Sequence, residues 1–483
     1  MPNNNITTAR YNSLPFDENS YPYNISHQGV NSEDRISIQR SSTLSLRFIT
    51  FALSRKRFFI GFIYTCLITL QCAILNSYGP LFHPLETLGC LTYRQYNITV
   101  AVFCISMAVS YIPSAILISK VGLRRSILLS VVGSIVGSII RIAALPCKSY
   151  SFYVLMFAQL VTSISSAPSL AAPGLIAVRW FEPSSRQFYT GFFLMMQFFG
   201  YGIGFVFMRL LDLTDASTKQ LHFIVYLYFI VQILIFIWIA TISAIFFPNE
   251  PKNPPSFLAL LERYIELKSI LKLLKSKKYH VCSLIYFGLL NFYFTSYYIN
   301  DISVTASPPD LQGYIECSLS VATVIIAIAV IYCLKAVIRF KIVLQCLILF
   351  ALVLQYSTLW ISRYCDSQSV ITIILTYGIS FLVGVCLNVF IAIFIETITD
   401  MFFPVQESIL LAMIFMTANI IEGVIMIYVV SSDLSKQKTN TFGQYYMICG
   451  LILNGFALLF LPSRLEYHQI DVLATKVDDS VKR

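Results

Sequence analysis

The sequence predicts an all-α integral membrane protein with twelve transmembrane helices arranged as two six-helix bundles. Three observations support this prediction. Apolar residues make up 57% of the chain and charged residues only 12%, whereas soluble domains hold roughly 45–50% apolar and about 25% charged residues. Twelve apolar runs are each close to the roughly 20 residues that cross a bilayer. A polar interruption after the sixth run divides them evenly, which is typical of two related bundles.

The runs and the polar segments between them define five regions. The first 56 residues are polar and lack the basic-then-apolar profile of a signal peptide. The interruption begins with the proline-rich segment Pro248 to Pro255, and leucines then recur at helical spacing among lysines, which predicts an amphipathic helix on the cytosolic leaflet. The regions are a disordered cytosolic tail (1–56), a first six-helix bundle (57–247), a cytosolic linker with an amphipathic helix (248–278), a second six-helix bundle (279–462) and a cytosolic tail (463–483). The predicted spans are 58–80, 97–119, 126–146, 152–178, 188–211, 222–247, 280–300, 313–334, 342–361, 369–394, 405–430 and 443–462.

Lysine and arginine are distributed unequally between the two sides of these spans. With the N-terminus in the cytosol, the tails and cytosolic loops hold 26 of the 34 basic residues and the outward side holds 8. Because cytosolic loops are usually the more positive ones, we predict that both termini are cytosolic. Asn97 then begins the only glycosylation sequon that faces outward.

Composition and motifs argue against several other classes. The net charge of +10 comes from scattered loop residues rather than a basic patch with aromatic platforms, so no nucleic-acid partner is predicted. Most cysteines lie inside apolar runs without metal-ligand spacing, whereas Cys90, Cys147 and Cys365 fall in predicted outward loops, where two of them could form a disulfide. The chain has no Walker loop, paired histidines or Ser/His/Asp set. We therefore predict no enzyme activity, no metal site and no cofactor.

The stretch 158–188 combines an apolar character with many small residues and with Pro168 and Pro173. Small residues let a neighbouring helix or a ligand approach the backbone closely. Prolines remove amide donors, which a membrane helix tolerates where neighbours or water bind the freed carbonyl groups. The stretch is either a tight helix contact or the wall of a transport path.

The loop after the second span reads Ser119-Lys-Val-Gly-Leu-Arg-Arg125. It resembles the Asp-x-x-Gly-x-Arg-Arg loop of the major facilitator superfamily. The six-plus-six division of the spans resembles the same superfamily. The resemblance implies a gate at the cytosolic helix ends that involves Gly122, Arg124 and Arg125. Ser119 stands where the superfamily has its aspartate, so the anionic partner is missing or supplied elsewhere. A plain positive-inside loop is the alternative.

Further motifs resemble solute carrier family 49, the feline leukaemia virus subgroup C receptor-related transporters. The run 172–181, with Gln159 before it, is similar to the fourth helix of that family. Asn76-Ser-Tyr-Gly-Pro80 and Arg141 resemble its lysosomal branch, the disrupted in renal carcinoma protein 2 group. The run 400–407 resembles the family's acidic-x-x-aromatic-Pro-x-x-Glu cytosolic loop, which adds Asp400 and Glu407 to the gate. The resemblance implies a small organic substrate, such as choline or a related amine, pyridoxine or haem.

In the superfamily the first, fourth, seventh and tenth helices line the transport path, and the eleventh contributes an amide in this family. This implies a path lined by Gln71, Asn76, Tyr78, Ser163, Ser166, Asn291, Tyr293, Asn388 and Asn419. Leu75 replaces the tryptophan that caps choline in the receptor-like members, and it offers no π face to a cation. Ser166 and Asn419 replace two glutamines. A choline cage is therefore not predicted, and the departures favour the lysosomal branch or another specificity.

Glu422 is the deepest carboxyl group in any predicted span. A charged side chain at mid-bilayer costs at least ~2.5–3.5 kcal/mol, so it requires a partner, a cavity or neutrality. Glu422 lies one helical turn from Asn419, so both side chains can point into one cavity. It is our candidate for proton coupling, and a structural hydrogen bond to a neighbouring helix is the alternative. Asp400, near the cytosolic end of the tenth span, either pairs with Arg124 or Arg125 or is solvated.

These features predict a secondary-active or facilitative transporter of a small organic solute. The solute is an amine, a vitamin such as pyridoxine, or a choline-like or haem-related compound, and transport with or without proton coupling fits the sequence. The transporter would work by alternating access, and its partners are the solute and the lipid bilayer. A membrane receptor or nutrient sensor that has lost transport is the alternative. Tyr-x-x-aliphatic patterns at Tyr11 and Tyr467 are of the type that sorting adaptors bind. The predicted location is the lysosomal or endosomal membrane or the plasma membrane.

Overall fold

The computed structural model describes residues 54–79, 81–147, 150–209, 217–251, 253, 255, 267–294, 322–332, 340–364, 369–402, 405–431 and 436–461. The regular elements in these ranges are α-helices, as the predicted fold class requires. Most of both predicted tails, with the patterns at Tyr11 and Tyr467, lies outside the described residues.

Each predicted span overlaps at least one helix. The helices are α1 (Arg57–Leu75), α2 (Phe82–Thr87), α3 (Tyr93–Val121), α4 (Leu123–Ala144), α5 (Ser151–Leu170), α6 (Pro173–Trp180), α7 (Pro183–Arg209), α8 (Thr218–Phe246), α9 (Leu267–Leu274), α10 (Lys277–Phe294), α11 (Ala322–Tyr332), α12 (Phe340–Tyr364), α13 (Val370–Met401), α14 (Glu407–Ser431) and α15 (Lys436–Leu459). Within the described ranges, eight segments are long and apolar enough to cross a membrane, namely α1, α3, α4, α5 with α6, α8, α12, α13 and α14. The count of twelve spans stays a prediction.

The predicted span 152–178 is interrupted near one of its two prolines. Pro168 lies inside α5, whereas α5 ends at Leu170 and α6 begins at Pro173. Pro173 has no amide hydrogen to donate to the carbonyl of Ser169, four residues earlier. That carbonyl instead accepts hydrogen bonds from the Tyr64 hydroxyl at 2.7 Å and from the backbone N–H of Ala172 at 3.3 Å. The break is therefore stabilised by a side chain of α1.

Small residues bring α4 and α5 into close contact. A Cβ added at Gly133 would collide with Ser165, and one added at Gly137 would collide with Thr162. Glycine at these positions lets the two backbones approach as small-residue membrane interfaces do. For this face of the stretch 158–188, the geometry favours the helix-contact interpretation.

The two bundles pack against each other mainly through α3 with α14 and through α7 with α13. Gly191 of α7 is so close to α13 that an added Cβ would lie 2.5 Å from the Cβ of Ala392. Gly174 of α6 similarly faces Glu407 of α14, whose Cβ would be 3.1 Å from an added Cβ. These contacts close the interface at the end of the bundles where α6 ends and α14 begins.

The described part of the linker contains the short amphipathic helix α9. Ile270 and Leu273 on its apolar face are buried in the same core as residues of the second bundle, whereas Lys275 is exposed. The apolar face of α9 therefore packs at least partly on protein. Its predicted position on the membrane surface stays a prediction.

Candidate functional site

An aromatic cluster connects the two bundles in the interior of the protein. The ring of Tyr111 on α3 meets the ring of Phe415 on α14 edge-on, with centroids 5.5 Å apart, and Tyr286 on α10 stacks on Phe415 at 4.8 Å. All three side chains are buried. We name Tyr111, Tyr286 and Phe415 the aromatic bridge. Sequence reasoning did not single out these residues, because 29 tyrosines and 38 phenylalanines leave any one aromatic inconspicuous.

The second element of the site is a buried acid in the second bundle. Glu422 has no exposed surface, and its Oε2 accepts a hydrogen bond from the Tyr446 hydroxyl of α15 at 3.2 Å. Within the described residues its Oε1 has no hydrogen-bond partner. Asn291 of α10 donates from Nδ2 to the backbone carbonyl of Tyr446 at 2.9 Å. We name Glu422, Tyr446 and Asn291 the glutamate cluster, which joins three helices.

The glutamate cluster lies where the second bundle meets the first. Gly423, next to Glu422, packs on α3 so closely that an added Cβ would lie 2.9 Å from Ile105 and 3.4 Å from Cys104. Asn419, one turn before Glu422, is buried and donates from Nδ2 to the carbonyl of Phe415 at 2.8 Å. The sequence places Asn419 and Glu422 one helical turn apart, and a cavity shared by their side chains stays a prediction. It did not indicate that Tyr446 would be the partner of the acid.

A third element surrounds a buried cation in the first bundle. Arg141 of α4 has no exposed surface, and its Nη1 donates to the Ile74 carbonyl at 3.2 Å and to the Ser77 hydroxyl at 2.9 Å. Its Nη2 donates to Oε1 of Gln159 at 2.8 Å, and its guanidinium carbon lies 4.8 Å from the ring centroid of Tyr78. We name Arg141, Ser77, Tyr78 and Gln159 the arginine cluster.

Three residues predicted to line the path belong to α1 or to the turn that follows it. Asn76 is buried and donates from Nδ2 to the carbonyl of Tyr201 at 3.3 Å, and its Oδ1 has no partner among the described residues. The Tyr78 hydroxyl donates to the carbonyl of Leu155 at 2.9 Å. The amide of Gln71 donates to Ser130 of α4 at 2.8 Å. Gln71 is thus engaged inside the first bundle, and solute contact by these residues stays a prediction.

The remaining path candidates differ in how many of their side-chain polar atoms are hydrogen-bonded. Ser163 and Ser166 donate to carbonyl groups of their own helix, and Asn388 of α13 does the same to Gly384 at 2.9 Å. Oδ1 of Asn388 has no partner among the described residues. The side chain of Tyr293 lies outside the description. Asn388 therefore keeps an acceptor atom without a partner, whereas the hydroxyl groups of the two serines are bonded to backbone carbonyls. Solute contact by these residues stays a prediction.

The predicted gate residues lie at the end where α6 ends and α14 begins, which we name the Gly122 end. Gly122 joins α3 to α4 with φ of 94°, a conformation that glycine adopts without strain. Asn249 accepts a hydrogen bond from the backbone N–H of Arg124 at 2.9 Å, and the Arg124 guanidinium donates to the carbonyl of Ala244. Arg125 is exposed.

A carboxylate from the linker reaches the same end. Glu250 lies 3.5 Å from the guanidinium of Arg179, the last basic residue of α6. Glu407 is buried against Gly174, whereas the side chain of Asp400 lies outside the description. Ser119 stands where the resembled loop has an aspartate. Two groups of the linker, Asn249 and Glu250, contact the helix ends here. Over the described ranges, no group of His, Cys, Asp and Glu side chains is arranged to hold a metal ion.

Two packed bundles of apolar helices, with polar clusters buried inside them, are typical of a class of membrane transporters. A family model of the Major Facilitator Superfamily matches residues 57–420, which is more than half of the chain. The chain therefore belongs to the Major Facilitator Superfamily, whose members transport solutes by alternating access. This membership also confirms the prediction that the chain is not an enzyme.

More specific relatives agree with the resemblance predicted from the motifs. The chain is 23% identical over 408 residues to the solute carrier family 49 member 4 homolog of Xenopus laevis, a match that covers 80% of this chain and 87% of that protein. Among solved structures, it is similar to the transporter FucP in the outward conformation, with a TM-score of 0.60, 14% identity and coverage of 84% and 99%. It is also similar to a D-xylose–proton symporter, with a TM-score of 0.64, 11% identity and coverage of 84% and 97%.

Proposed function

We propose that this protein is a proton-coupled transporter of a small organic solute and that Glu422 is the coupling group. The main observation behind the proposal is that only one oxygen of this carboxyl group is hydrogen-bonded. Among the described residues, Tyr446 donates to Oε2 and Oε1 has no partner. An unpaired charge at this depth is costly, so binding of a proton changes the energy of the site strongly. The cluster borders α3, so that change acts where the bundles move relative to each other.

The lining of the site supports the solute class. The buried interior offers the rings of the aromatic bridge and, on Asn76 and Asn388, Oδ1 atoms without a partner among the described residues. Rings and free acceptors together suit a ring or a small polar molecule with donor groups. The resemblance of the motifs to solute carrier family 49 implies an organic solute rather than an inorganic ion. The candidates are pyridoxine, choline, ethanolamine and haem-related compounds, and the absence of a π face at Leu75 argues against choline.

The contacts of the linker at the Gly122 end support a modified gate. Glu250 and Asn249 contact α6 and α4 there, as an acidic residue at position 119 would in the resembled loop. Close packing of Gly174 on Glu407 adds a contact between the bundles. We propose that this end opens and closes during transport and that Gly122, Arg124, Arg125, Asp400 and Glu407 take part. We also propose that this end faces the cytosol. The proposed location of the protein is the lysosomal or endosomal membrane or the plasma membrane.

Uptake into proteoliposomes tests the function. Purified full-length protein is reconstituted, and uptake of tritiated pyridoxine, choline and ethanolamine is measured with and without an inward proton gradient. We expect gradient-stimulated uptake of at least one compound, and we expect Glu422→Gln to remove the stimulation while leaving binding of that compound detectable. Glu86→Gln makes the same chemical change on an exposed residue and serves as the control.

Two results would count against the proposal. If Glu422→Gln responded to the gradient as the wild type does, Glu422 would not be the coupling group, and its hydrogen bond to Tyr446 would be structural. If a compound stabilised the protein against thermal unfolding but was never taken up, the receptor or sensor interpretation would be favoured.

A further inference from the structure

The end of α1 creates a structural problem that the arginine cluster solves. Helix α1 ends at Leu75, and the chain then forms a turn in which the N–H of Asn76 bonds to the Cys72 carbonyl and that of Ser77 to the Ile74 carbonyl. The last carbonyl groups of a helix lack partners within it, and in a membrane no water is present to replace them. A helix that ends inside a bundle therefore needs donors from its neighbours.

Two neighbouring helices provide these donors. Arg141 of α4 donates to the Ser77 hydroxyl and to the Ile74 carbonyl, which also accepts from the Ser77 hydroxyl at 2.7 Å. Gln159 of α5 donates from Nε2 to the Leu75 carbonyl at 2.9 Å. Arg141 and Gln159 are also bonded to each other at 2.8 Å. The planar guanidinium is suited to hold several acceptors at fixed angles. Its positive charge lies at the carbonyl end of α1, where the helix dipole is negative.

The position of the cation suggests a role beyond packing. Burial of a full charge is costly, and the hydrogen-bond acceptors of Arg141 within the described residues are a carbonyl, a hydroxyl and an amide rather than a carboxylate. An apolar side chain would fill the same space without this cost. The turn that the cation holds contains Asn76, whose Oδ1 is buried without a partner among the described residues, and Tyr78, whose ring lies under the guanidinium.

We propose that Arg141 is a positioning residue of the transport path, which holds the interrupted end of α1 so that Asn76 and Tyr78 face the solute in a fixed geometry. This inference rests on the proposed path through α1, and it assigns the solute at least one donor group, which Oδ1 of Asn76 accepts. Arg141 itself does not touch the solute. It acts through the Ile74 carbonyl and Ser77, and Gln159 acts with it through the Leu75 carbonyl.

Hydrogen exchange of the solute-free protein tests the inference. Full-length protein in lipid nanodiscs is compared with Arg141→Met and Arg141→Lys by mass spectrometry of peptides that cover residues 70–82. We expect the amides of the turn to exchange roughly tenfold faster in Arg141→Met, because the turn opens more often when its donors are lost. Lysine keeps the charge but lacks the planar fork of donors, so Arg141→Lys should restore only part of the protection.

The controls separate positioning from general stabilisation. Arg94→Gln changes an exposed arginine of α3 and should leave the exchange of the turn unchanged. Gln159→Leu removes the bonds to the Leu75 carbonyl and to Arg141 but keeps the cation and its bonds to the turn. It should give an intermediate increase, and it replaces Arg141→Met if that variant does not fold. The inference is overturned if Arg141→Met protects the turn as the wild type does, or if exchange rises equally over α4, α5 and the turn. Because the measurement uses neither solute nor gradient, it is independent of whether Glu422 couples protons.

Discussion

Arg141 in the first bundle and Glu422 in the second are, among the described Arg, Lys, Asp and Glu side chains, the two with no exposed surface at all. Their surroundings differ. The guanidinium makes three hydrogen bonds to three separate acceptors, whereas the carboxyl group accepts one, through one oxygen. The bonds of Arg141 hold the turn at the end of α1, so the loss of this cation frees that turn. An acid that is half paired can gain or lose a proton without dismantling a helix end.

The largest effect that this comparison predicts is on stability. Arg141→Met removes the donor to Oε1 of Gln159 and to the Ser77 hydroxyl, whereas the Ile74 carbonyl keeps its bonds from the N–H and hydroxyl of Ser77. We expect the free energy of unfolding to fall by about 2–4 kcal/mol. Glu422→Gln keeps an acceptor for the Tyr446 hydroxyl, so its effect should be below about 1 kcal/mol. Thermal unfolding of both variants in one detergent measures the difference. Equal losses would show that the two buried charges are used alike.

The second prediction concerns the contact between the bundles that carry these charges. Gly191→Val places a side chain against Ala392, and overpacking of this kind costs about 1–3 kcal/mol in the closed arrangement. We expect uptake of a confirmed substrate to fall several-fold, since closure of the Gly122 end becomes unfavourable. Gly378→Val is the matched control, because a Cβ at Gly378 has no heavy atom within 4 Å among the described residues.

A compensating change sharpens this test. Ala392→Gly removes the atom that the new side chain meets, so the double variant Gly191→Val with Ala392→Gly should recover part of the lost uptake. If the double variant is as slow as Gly191→Val alone, the contact between α7 and α13 is not what limits closure.

Much of the fold, and the two buried charges, could be predicted from the sequence. Long apolar runs predict helices because a bilayer leaves few alternatives, and Arg141 and Glu422 are conspicuous because a charge inside such a run is costly. Of the two prolines in the predicted span 152–178, only Pro173 separates two helices. The sequence does not show this, because the Tyr64 hydroxyl that binds the Ser169 carbonyl is about a hundred residues away. Long-range partners of this kind depend on how the helices pack.

The contacts within the site were harder to predict for the same reason. Tyr111, Tyr286 and Phe415 belong to three helices, and nothing in their local sequence indicates that the rings meet. The partners of Gln71 left a weak signal, since Ser126, Ser130, Ser134 and Ser138 recur every four residues and so form one polar stripe on α4. That stripe predicts a polar partner on a neighbouring helix without identifying it.

The smallest predicted effect tests whether Tyr446 only tunes the glutamate cluster. Tyr446→Phe removes the hydroxyl that binds Oε2 of Glu422 but keeps the ring, and the backbone carbonyl that binds Asn291 is unchanged. We expect a loss of about 0.5–1.5 kcal/mol in unfolding free energy, the usual net value of one hydrogen bond, and a smaller loss of gradient-driven uptake than Glu422→Gln produces. Tyr364→Phe, at a residue with 71% exposure, controls for removal of a hydroxyl group. If Tyr446→Phe abolished coupling as completely as Glu422→Gln, the acid and the phenol would have to act as one unit. The contrast with Arg141 would then lie in a pair of residues rather than in a single carboxyl group.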